Sequence, residues 1–150
     1  MDTQQPALEN GDNDNGLVDA LVQAAFATMA MLTKVAADND LSLTQLRVLG
    51  ILRDRRMRVT TLASYLGLEK STISGLVDRA VKRGLLDRAP SADDGRAVEV
   101  FIAPAGAEQI ARGQAIIRQE LSPLTGELTT AERRRLQALL EKMLIPNAPR

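Results

Sequence analysis

The chain has 150 residues, 45% of them hydrophobic, so it can bury one sizeable core and is not a disordered protein. It contains no Cys and no His, which removes the usual zinc ligands, thiol nucleophiles, disulfides and the side chain that titrates near neutral pH. The net charge is zero, but residues 44–102 carry eleven basic and seven acidic side chains, a local excess that would suit a polyanion and that ordinary solvated charge would also produce.

The first sixteen residues, MDTQQPALENGDNDNG, are predicted to form a disordered leader because they have little apolar surface to bury. The leader is acidic, unlike the start of a signal peptide. The following run, Leu17 to Ala37, is apolar on nearly every side of a predicted helix. Its uncharged stretch from Ala20 to Thr33 is too short for about 30 Å of hydrocarbon, so we expect no membrane partner. Burial against a second copy of the chain is expected instead.

The next helix is announced by a possible capping box, in which Ser42 accepts from an early backbone N–H and Gln45 reaches back. It is predicted to run to about Asp54. Gly50 within it costs roughly 1 kcal/mol relative to Ala, so close packing or a neighbouring ligand has to compensate. Close packing is the simpler interpretation.

Two short helices are predicted after a basic connection, Arg53 to Arg58. Thr60 is placed to cap the first helix, Gly67 permits a tight turn, and the second helix begins near Lys70. This arrangement is typical of a helix-turn-helix, whose second helix can lie in the major groove of DNA, although a plain helical hairpin has the same pattern. The second helix has a core side at helical spacing, formed by Ile73, Leu76, Val77 and Ala80.

The opposite side of this second helix is polar. Arg79 and Lys82 lie there at positions suited to phosphate contacts. A helix face selected only for solubility would more often carry Glu–Lys pairs. Asp78 argues against DNA binding, because phosphate repels a carboxylate unless a base or an Arg engages it. The first turn carries small groups that can hydrogen-bond or admit base edges, namely Ser71, Thr72, Ser74 and Gly75.

A β-hairpin is predicted behind the second helix, which Gly84 is placed to end. Residues 98–102 alternate as in a strand, and residues 93–95, Asp-Asp-Gly, supply turn chemistry. Arg96 lies near the predicted tip. Alone this would be a structural hairpin, but behind a helix-turn-helix it forms a wing whose Arg can enter a narrow minor groove.

Two further helices are predicted at the end of the chain, separated by Pro123 and Gly126. A second capping box, from Thr129 to Glu132, opens the last of them. Both helices carry apolar stripes that are most simply core positions: Ile110, Ile116, Ile117 and Leu121 in the first, and Leu136, Leu139, Leu140, Met143 and Leu144 in the second.

The segments LSLTQLRVLGIL, LASYLGLEKSTISGLVDRAVKRGLLDR and DDGRAVEVFIAPAG, in this order, resemble the MarR family of bacterial winged helix-turn-helix transcription regulators. The resemblance implies a mainly α fold with a small β-hairpin wing, a DNA-binding domain at residues 43–103, and helical dimerisation regions at residues 17–42 and 104–146. It also implies a cytoplasmic homodimer that binds double-stranded DNA at an imperfect palindrome. Such regulators are usually repressors, released by a small aromatic or phenolic effector.

The resemblance assigns residues 71, 72, 74 and 75 to the start of the recognition helix, Arg79 to its phosphate side, and Asp94 and Arg96 to the wing. Gly75 stands where the family often has a larger, basic residue, and Ala103 replaces the usual Thr before Pro104. The family layout places a ligand near Met29, Thr33, Arg47 and Gly50, although core packing is the simpler reading of each. The full candidate DNA-binding set is Thr60, Lys70, Ser71, Thr72, Ser74, Gly75, Arg79, Lys82, Asp94 and Arg96.

We expect no enzyme activity, cofactor or metal, because the sequence shows no paired carboxylates, phosphate-binding loop or triad-like arrangement. The alternative to a DNA-binding regulator is a winged-helix module that contacts only protein. Such a module would keep the fold and would not need the polar recognition face.

Overall fold

The computed structural model describes the backbone of residues 9–144 and the side chains of residues 14–144. Within these residues the predicted class, mainly α with a β-hairpin wing, is confirmed. The helices are α1 (Glu9–Asp38), α2 (Leu43–Leu52), α3 (Val59–Leu66), α4 (Lys70–Lys82), α5 (Ala107–Leu121) and α6 (Thr130–Leu144). The strands are β1 (Met57–Arg58), β2 (Leu86–Pro90) and β3 (Val98–Ile102), and 3-10 turns lie at Pro104–Gly106 and Ser122–Thr125.

The core lies in the middle of the chain, between α2, α3, α4 and the sheet. The apolar face predicted for α4 is buried there. Each large apolar side chain that is fully buried contributes about 1.5–3 kcal/mol relative to exposure, so this part of the chain has a core of its own. The largest fully buried side chains are Leu52, Leu62, Ile73, Leu85, Leu86, Val48, Val77 and Val100.

The predicted capping box at the start of α2 is confirmed. Ser42 Oγ accepts from the Gln45 N–H at 3.1 Å, and Gln45 Oε1 accepts from the Ser42 N–H at 2.8 Å. The prediction that Thr60 caps α3 is wrong, since the N-cap is Arg58 and Thr60 lies inside the first turn. Arg58 ends a strand and pairs with Glu99 of β3, so sheet pairing fixes where α3 begins without a side-chain cap.

The sheet has three antiparallel strands in the order β1-β3-β2. The predicted hairpin is confirmed as β2 and β3, with Leu86 opposite Ile102 and Pro90 opposite Val98. Strand β1 was not expected, because two residues are too few to show an alternating pattern. Gly67 and Gly84 adopt the left-handed conformation, with φ of 65° and 72°, as their predicted turn and cap require.

The described part of helix α1 starts at Glu9, so the prediction of a disordered leader is wrong for residues 9–16. Extending an existing helix adds a backbone hydrogen bond per residue without a new nucleus, so polar residues can continue a helix that apolar residues nucleate. Residues 1–8 of the predicted leader, and residues 145–146 of the second dimerisation region, lie outside the described residues.

The terminal helices are largely uncovered in the single chain. Leu17 and Phe26 of α1 are 68% and 70% exposed, and α5 and α6 contain no residue classed as buried. By length and composition, the Asp14–Asp38 part of α1 is long and apolar enough to cross a membrane, a test that core helices of soluble proteins also pass. This corrects the expectation that the segment is too short. Only its end, at Val35 and Ala36, is buried in this chain.

Candidate nucleic-acid interface

Helix α4 presents the two faces that its sequence predicts. Ser71, Thr72, Arg79 and Lys82 are exposed, whereas Ser74 and Gly75 are half-buried at the border with the core face. The helix therefore offers hydroxyl groups in its first turn and cations in its later turns. This is the order expected for base contacts followed by phosphate contacts.

The small residue at Gly75 leaves room for the side chain of Arg79, one helical turn later. A Cβ built on Gly75 would lie 3.6 Å from Arg79 Nη1. The guanidinium group therefore lies over Gly75, where a long basic side chain would compete for the same space. Gly75 lacks the basic side chain that the family often has at this position, and Arg79 of the next turn places a cation there instead.

A groove of about 280 Å³ lies between α4, the start of α3 and the wing. It brings together four of the predicted residues from three separate elements, although the first and the last are 36 positions apart in the sequence: Thr60, Lys70, Ser74 and Arg96. Because these side chains share one concave surface, a single bound molecule could contact all of them.

Two further cations line this groove and were missed from the sequence, Arg58 and Arg88. Arg58 lies at the end of β1, which the sequence did not reveal, and Arg88 lies on β2 with its side chain exposed. The only sequence signal for either was the local excess of basic residues. The groove therefore contains Arg58, Lys70, Arg88 and Arg96, with no acidic side chain in its lining.

Asp78, whose carboxylate would repel phosphate, is paired with an arginine in the structure. Its carboxylate accepts a hydrogen bond from Arg88 Nη1, across from α4 to β2. Both side chains are about half exposed, so the pair contributes little to stability. The pairing offsets the negative charge of Asp78 on the recognition side of the helix.

The wing tip, residues 91–97, is folded by its own polar groups. Asp94 Oδ1 accepts from the Arg96 N–H at 3.1 Å, and the Asp94 carbonyl accepts from the Ala97 N–H at 2.9 Å. The Asp94 side chain thus organises the turn and leaves Arg96 exposed at its end. Among the described residues Arg96 forms no ion pair, so its charge is available to an anion.

Most of the basic connection before α3 does not join this groove. Arg56 stacks on Phe101, with its guanidinium carbon 3.9 Å from the ring centre, and Arg55 pairs with Asp54 at 3.1 Å. The hydrogen bond from Arg55 lowers the pKa of the exposed Asp54 carboxyl. Arg58 alone of this connection lines the groove.

A separate small cavity of about 60 Å³ lies between the end of α1, α2 and α5. Of the four predicted ligand-binding residues only Gly50 lines it. Arg47 points away and lies over Tyr65, 5.8 Å from the ring centre, while Met29 and Thr33 are exposed on another face of α1. The helical phase explains this, because residues three or four apart share a face, as Leu46 and Gly50 do here. Of the predicted ligand-binding set, this cavity therefore includes Gly50 and leaves Met29, Thr33 and Arg47 outside its lining.

No group of three or more acidic side chains within residues 14–144 is placed to hold a metal ion.

The sequence is similar to that of known transcription regulators. Residues 39–97 match the sequence model of the MarR family. The HTH-type transcriptional repressor IacR of Pseudomonas putida is 34% identical over 103 residues, which are 68% of this chain and 62% of that protein. This chain therefore spans less than two thirds of the length of that repressor.

Among the solved structures that are similar over most of the chain are two transcription regulators. A MarR-family transcriptional regulator from Silicibacter pomeroyi has a TM-score of 0.70 at 27% identity, covering 83% of this chain and 85% of that one. A mutant MarR from E. coli complexed with operator DNA has a TM-score of 0.65 at 23% identity, covering 93% and 99%. The chain thus shares the fold of these regulators along nearly its whole described length.

Proposed function

We propose that this chain, which belongs to the MarR family, is a sequence-specific DNA-binding regulator that acts as a homodimer. The match over residues 39–97 and the similarity to a known repressor show the family. We propose further that it represses transcription and is released by a small uncharged ligand. The alternative of a winged-helix module for protein contact alone has no observation in its favour.

The observation that carries the proposal is the convergence of cations beside the recognition face. Arg58, Lys70 and Arg96 come from β1, α4 and the wing, and all line one groove next to the exposed hydroxyls of Ser71 and Thr72. Phosphate contacts orient a protein on DNA, and polar groups at the start of a helix read base edges in the major groove. A surface that contacts only protein would not need a group of cations beside a set of small hydroxyl residues.

We propose that a second copy of the chain covers the exposed apolar faces of the terminal helices. Their exposed apolar side chains lie at both ends of the described chain, including Val22 and Phe26 on α1 and Leu139 and Met143 on α6. One symmetric contact would cover both sets at once. It would also place two copies of α4 on one duplex, where successive major grooves lie about 34 Å apart.

The cavity beside α2 is the proposed effector site. Its polar lining groups are the amides of Asn39, Gln109 and Gln114, and it has no charged side chain in its lining. An aromatic carboxylate would therefore be buried without a cation, whereas a phenol could hydrogen-bond to an amide. The volume of 60 Å³ is well below the roughly 150 Å³ that holds benzene, so binding would have to move α1 or α5 away from α2. Such a movement would change the angle between the dimer helices and the winged domain.

The DNA-binding proposal is tested by fluorescence anisotropy on duplexes selected from a random library and on duplexes tiling the DNA upstream of its own gene, at several salt concentrations. We expect tight binding to a roughly palindromic duplex that weakens steeply with salt. The triple variant Ser71→Ala, Arg79→Ala, Arg96→Ala should lose this binding while its fold, checked by circular dichroism, is retained. Equal weak binding to all duplexes at low salt, unchanged in the triple variant, would contradict sequence-specific recognition.

The effector proposal is tested by adding phenol or benzoate to the preformed protein–DNA complex. We expect phenol to release the protein and benzoate not to do so. A Cβ on Gly113 meets no atom within 4 Å, so Gly113→Leu should fill the cavity and abolish the response. Thr33→Ala, outside the cavity, is the matched control and should respond normally. Release by benzoate alone would show that the ligand is bound elsewhere or beside a cation.

A further inference from the structure

Arg83, the residue that ends the recognition helix, reaches across to the end of α1. Its Nη1 donates to the carbonyl of Asp40 at 2.7 Å, and its Nη2 donates to the carbonyl of Asn39 at 2.9 Å. Among the described side chains, these are the only hydrogen bonds that join residues more than ten positions apart in the sequence. The contact therefore links the winged domain directly to the long N-terminal helix.

The acceptors are well placed for a cation. The two carbonyls follow the last turn of α1, at the negative end of the helix dipole. Asp40 is the only non-glycine residue of the described chain with positive φ, at 55°, and the Asn39 side chain donates to the Val35 carbonyl at 2.8 Å. The turn is thus fixed locally, and it offers two neighbouring oxygens that match the fork of a guanidinium group.

The end of α1 also buries apolar side chains. Val35 and Ala36 are almost completely buried, at 3% and 1% exposure. Apolar burial is not directional, so these two small residues hold the end of α1 in place without fixing its angle. Two charge-assisted hydrogen bonds at a second point provide the directional restraint that apolar burial lacks.

The contact also lies beside the proposed effector cavity. Asn39, whose carbonyl binds Arg83, lines that cavity, and so does Leu85, two residues beyond Arg83. The Leu85 carbonyl in turn accepts from the Ala103 N–H at 3.0 Å, just before the turn that leads into α5. A molecule that widens the cavity would press on the same turn that Arg83 holds.

We propose that Arg83 is a positioning residue for DNA binding, which fixes the angle of α4 relative to α1 without contacting DNA. In a dimer held by its terminal helices, this angle sets the separation and orientation of the two recognition helices. The proposal rests on the proposed DNA-binding function. Arg79 and Lys82, about one turn or less away on α4, are proposed to contact phosphate. The role of Arg83 is distinct from theirs.

The first test compares Arg83→Ala and Arg83→Lys with wild type on the selected palindromic duplex. Lys keeps the charge but cannot span two carbonyls with a fixed fork. We expect both variants to bind roughly tenfold more weakly, within the range for residues that couple two sites without touching either ligand. The slope of binding against salt should stay unchanged. Arg112→Ala, which removes an exposed Arg paired with Glu108 on α5, is the matched control and should bind like wild type.

A phosphate contact would give a different result. Loss of one such contact lowers the salt slope by about one, and Arg83→Lys would then retain near-normal affinity. Duplexes with one base pair inserted or removed between the half-sites separate the roles further. A positioning residue predicts that wild type discriminates strongly among these duplexes and that Arg83→Ala discriminates less. A reduced salt slope with unchanged spacing discrimination would overturn the proposal.

The second test needs no DNA. Because the chain has no Cys, Ala37→Cys and Glu69→Cys can be spin-labelled selectively, one at the end of α1 and one at the start of α4. Dilution with unlabelled protein isolates the distance within one chain. We expect a narrow distance distribution that broadens with Arg83→Ala and is unchanged with Arg112→Ala.

An unchanged distribution in Arg83→Ala would overturn the proposal whatever the DNA result. If the distribution broadens but wild type binds no duplex, the proposed function fails, and with it the role of Arg83 in DNA binding, while the link between α4 and α1 stands. The two failures are therefore distinguishable.

Discussion

The winged region and the terminal helices place their apolar side chains in opposite environments. Residues 43–103 contain the buried core, with Leu62 and Ile73 at 0% exposure. The terminal helices leave Phe26 at 70% and Leu139 at 51%. Both regions have apolar residues at helical spacing, so the spacing identifies a face that must be covered without showing which chain covers it.

Polar contacts reinforce this difference. The ion pairs on the terminal helices, Lys34–Asp38 and Arg112–Glu108, are surface pairs with most of each side chain in solvent, and such pairs contribute little. The winged region instead ties its elements together through the sheet, and Arg83 ties this region to the end of α1. A single chain therefore contains one region with a complete core and one that needs a second surface.

The largest expected effect concerns the core itself. Leu62→Ala should lower the free energy of unfolding by about 3 kcal/mol, because it leaves a cavity at a fully buried position. Urea unfolding measures the loss, and sedimentation should show that the folded variant still forms dimers. Leu68→Ala, at a leucine 38% exposed, is the control and should cost about 0.5 kcal/mol or less. Equal losses in the two variants would mean that the winged region does not hold an independent core.

A smaller effect is expected where the two regions meet. A Cβ on Gly106 would lie 2.7 Å from the Gly84 carbonyl oxygen and 2.8 Å from the Leu85 Cα, both backbone atoms that cannot rotate away. Gly106→Ala should therefore cost about 2 kcal/mol of unfolding free energy through overpacking.

Gly113→Ala is the matched control for this variant, because a Cβ there meets nothing within 4 Å. It should stabilise α5 by roughly 0.5–1 kcal/mol through helix propensity. If Gly106→Ala were as stable as Gly113→Ala, the close approach between the turn before α5 and the end of α4 would not be required.

Much of the winged region could be predicted because its signals are local. The capping box at Ser42, the left-handed glycines and the two faces of α4 each depend on residues within one or two turns of each other, and so does the capping box at Thr129 in the terminal region. The order of these elements, with the wing behind the two helices, is what carries the family resemblance. These signals do not depend on a partner.

What could not be predicted depends on distant neighbours. Arg58 and Arg88 join the groove only because β1 and β2 flank β3, and the sequence does not reveal a two-residue strand. The layout placed the predicted effector residues on α1 and α2, but the phase of these helices decides which side chains face the cavity beside α2. Arg83 meets Asn39 and Asp40 across more than forty residues, which no periodicity signals.

The interface of the terminal helices gives the next prediction. Phe26→Ala removes the most exposed large apolar side chain of α1 and should weaken dimerisation about tenfold, or 1.4 kcal/mol, while the winged region remains folded. Analytical ultracentrifugation measures the dissociation constant. Lys34→Ala, which removes only an exposed ion pair, is the control. Unchanged dimerisation with recovery in the membrane fraction would show that a lipid surface covers α1.

The smallest expected effect concerns the start of α6, where the chain supplies its own stabilisation. Glu132 accepts from the Thr129 N–H at 2.7 Å and from its hydroxyl at 2.8 Å, and the backbone hydrogen bond is the main cause of a pKa below the ordinary glutamate value of 4.5. A lowered pKa in the folded state means that the stabilisation is present above pH 4.5 and is lost as the pH falls through the folded value.

Circular dichroism should therefore show a small loss of helix in acid, and Glu132→Gln should reduce that pH dependence. The same acid loss in Phe26→Ala would show that α6 begins through its own cap, so that a second copy is needed only for its apolar face. A loss that disappears in Phe26→Ala would instead make even the cap dependent on the dimer.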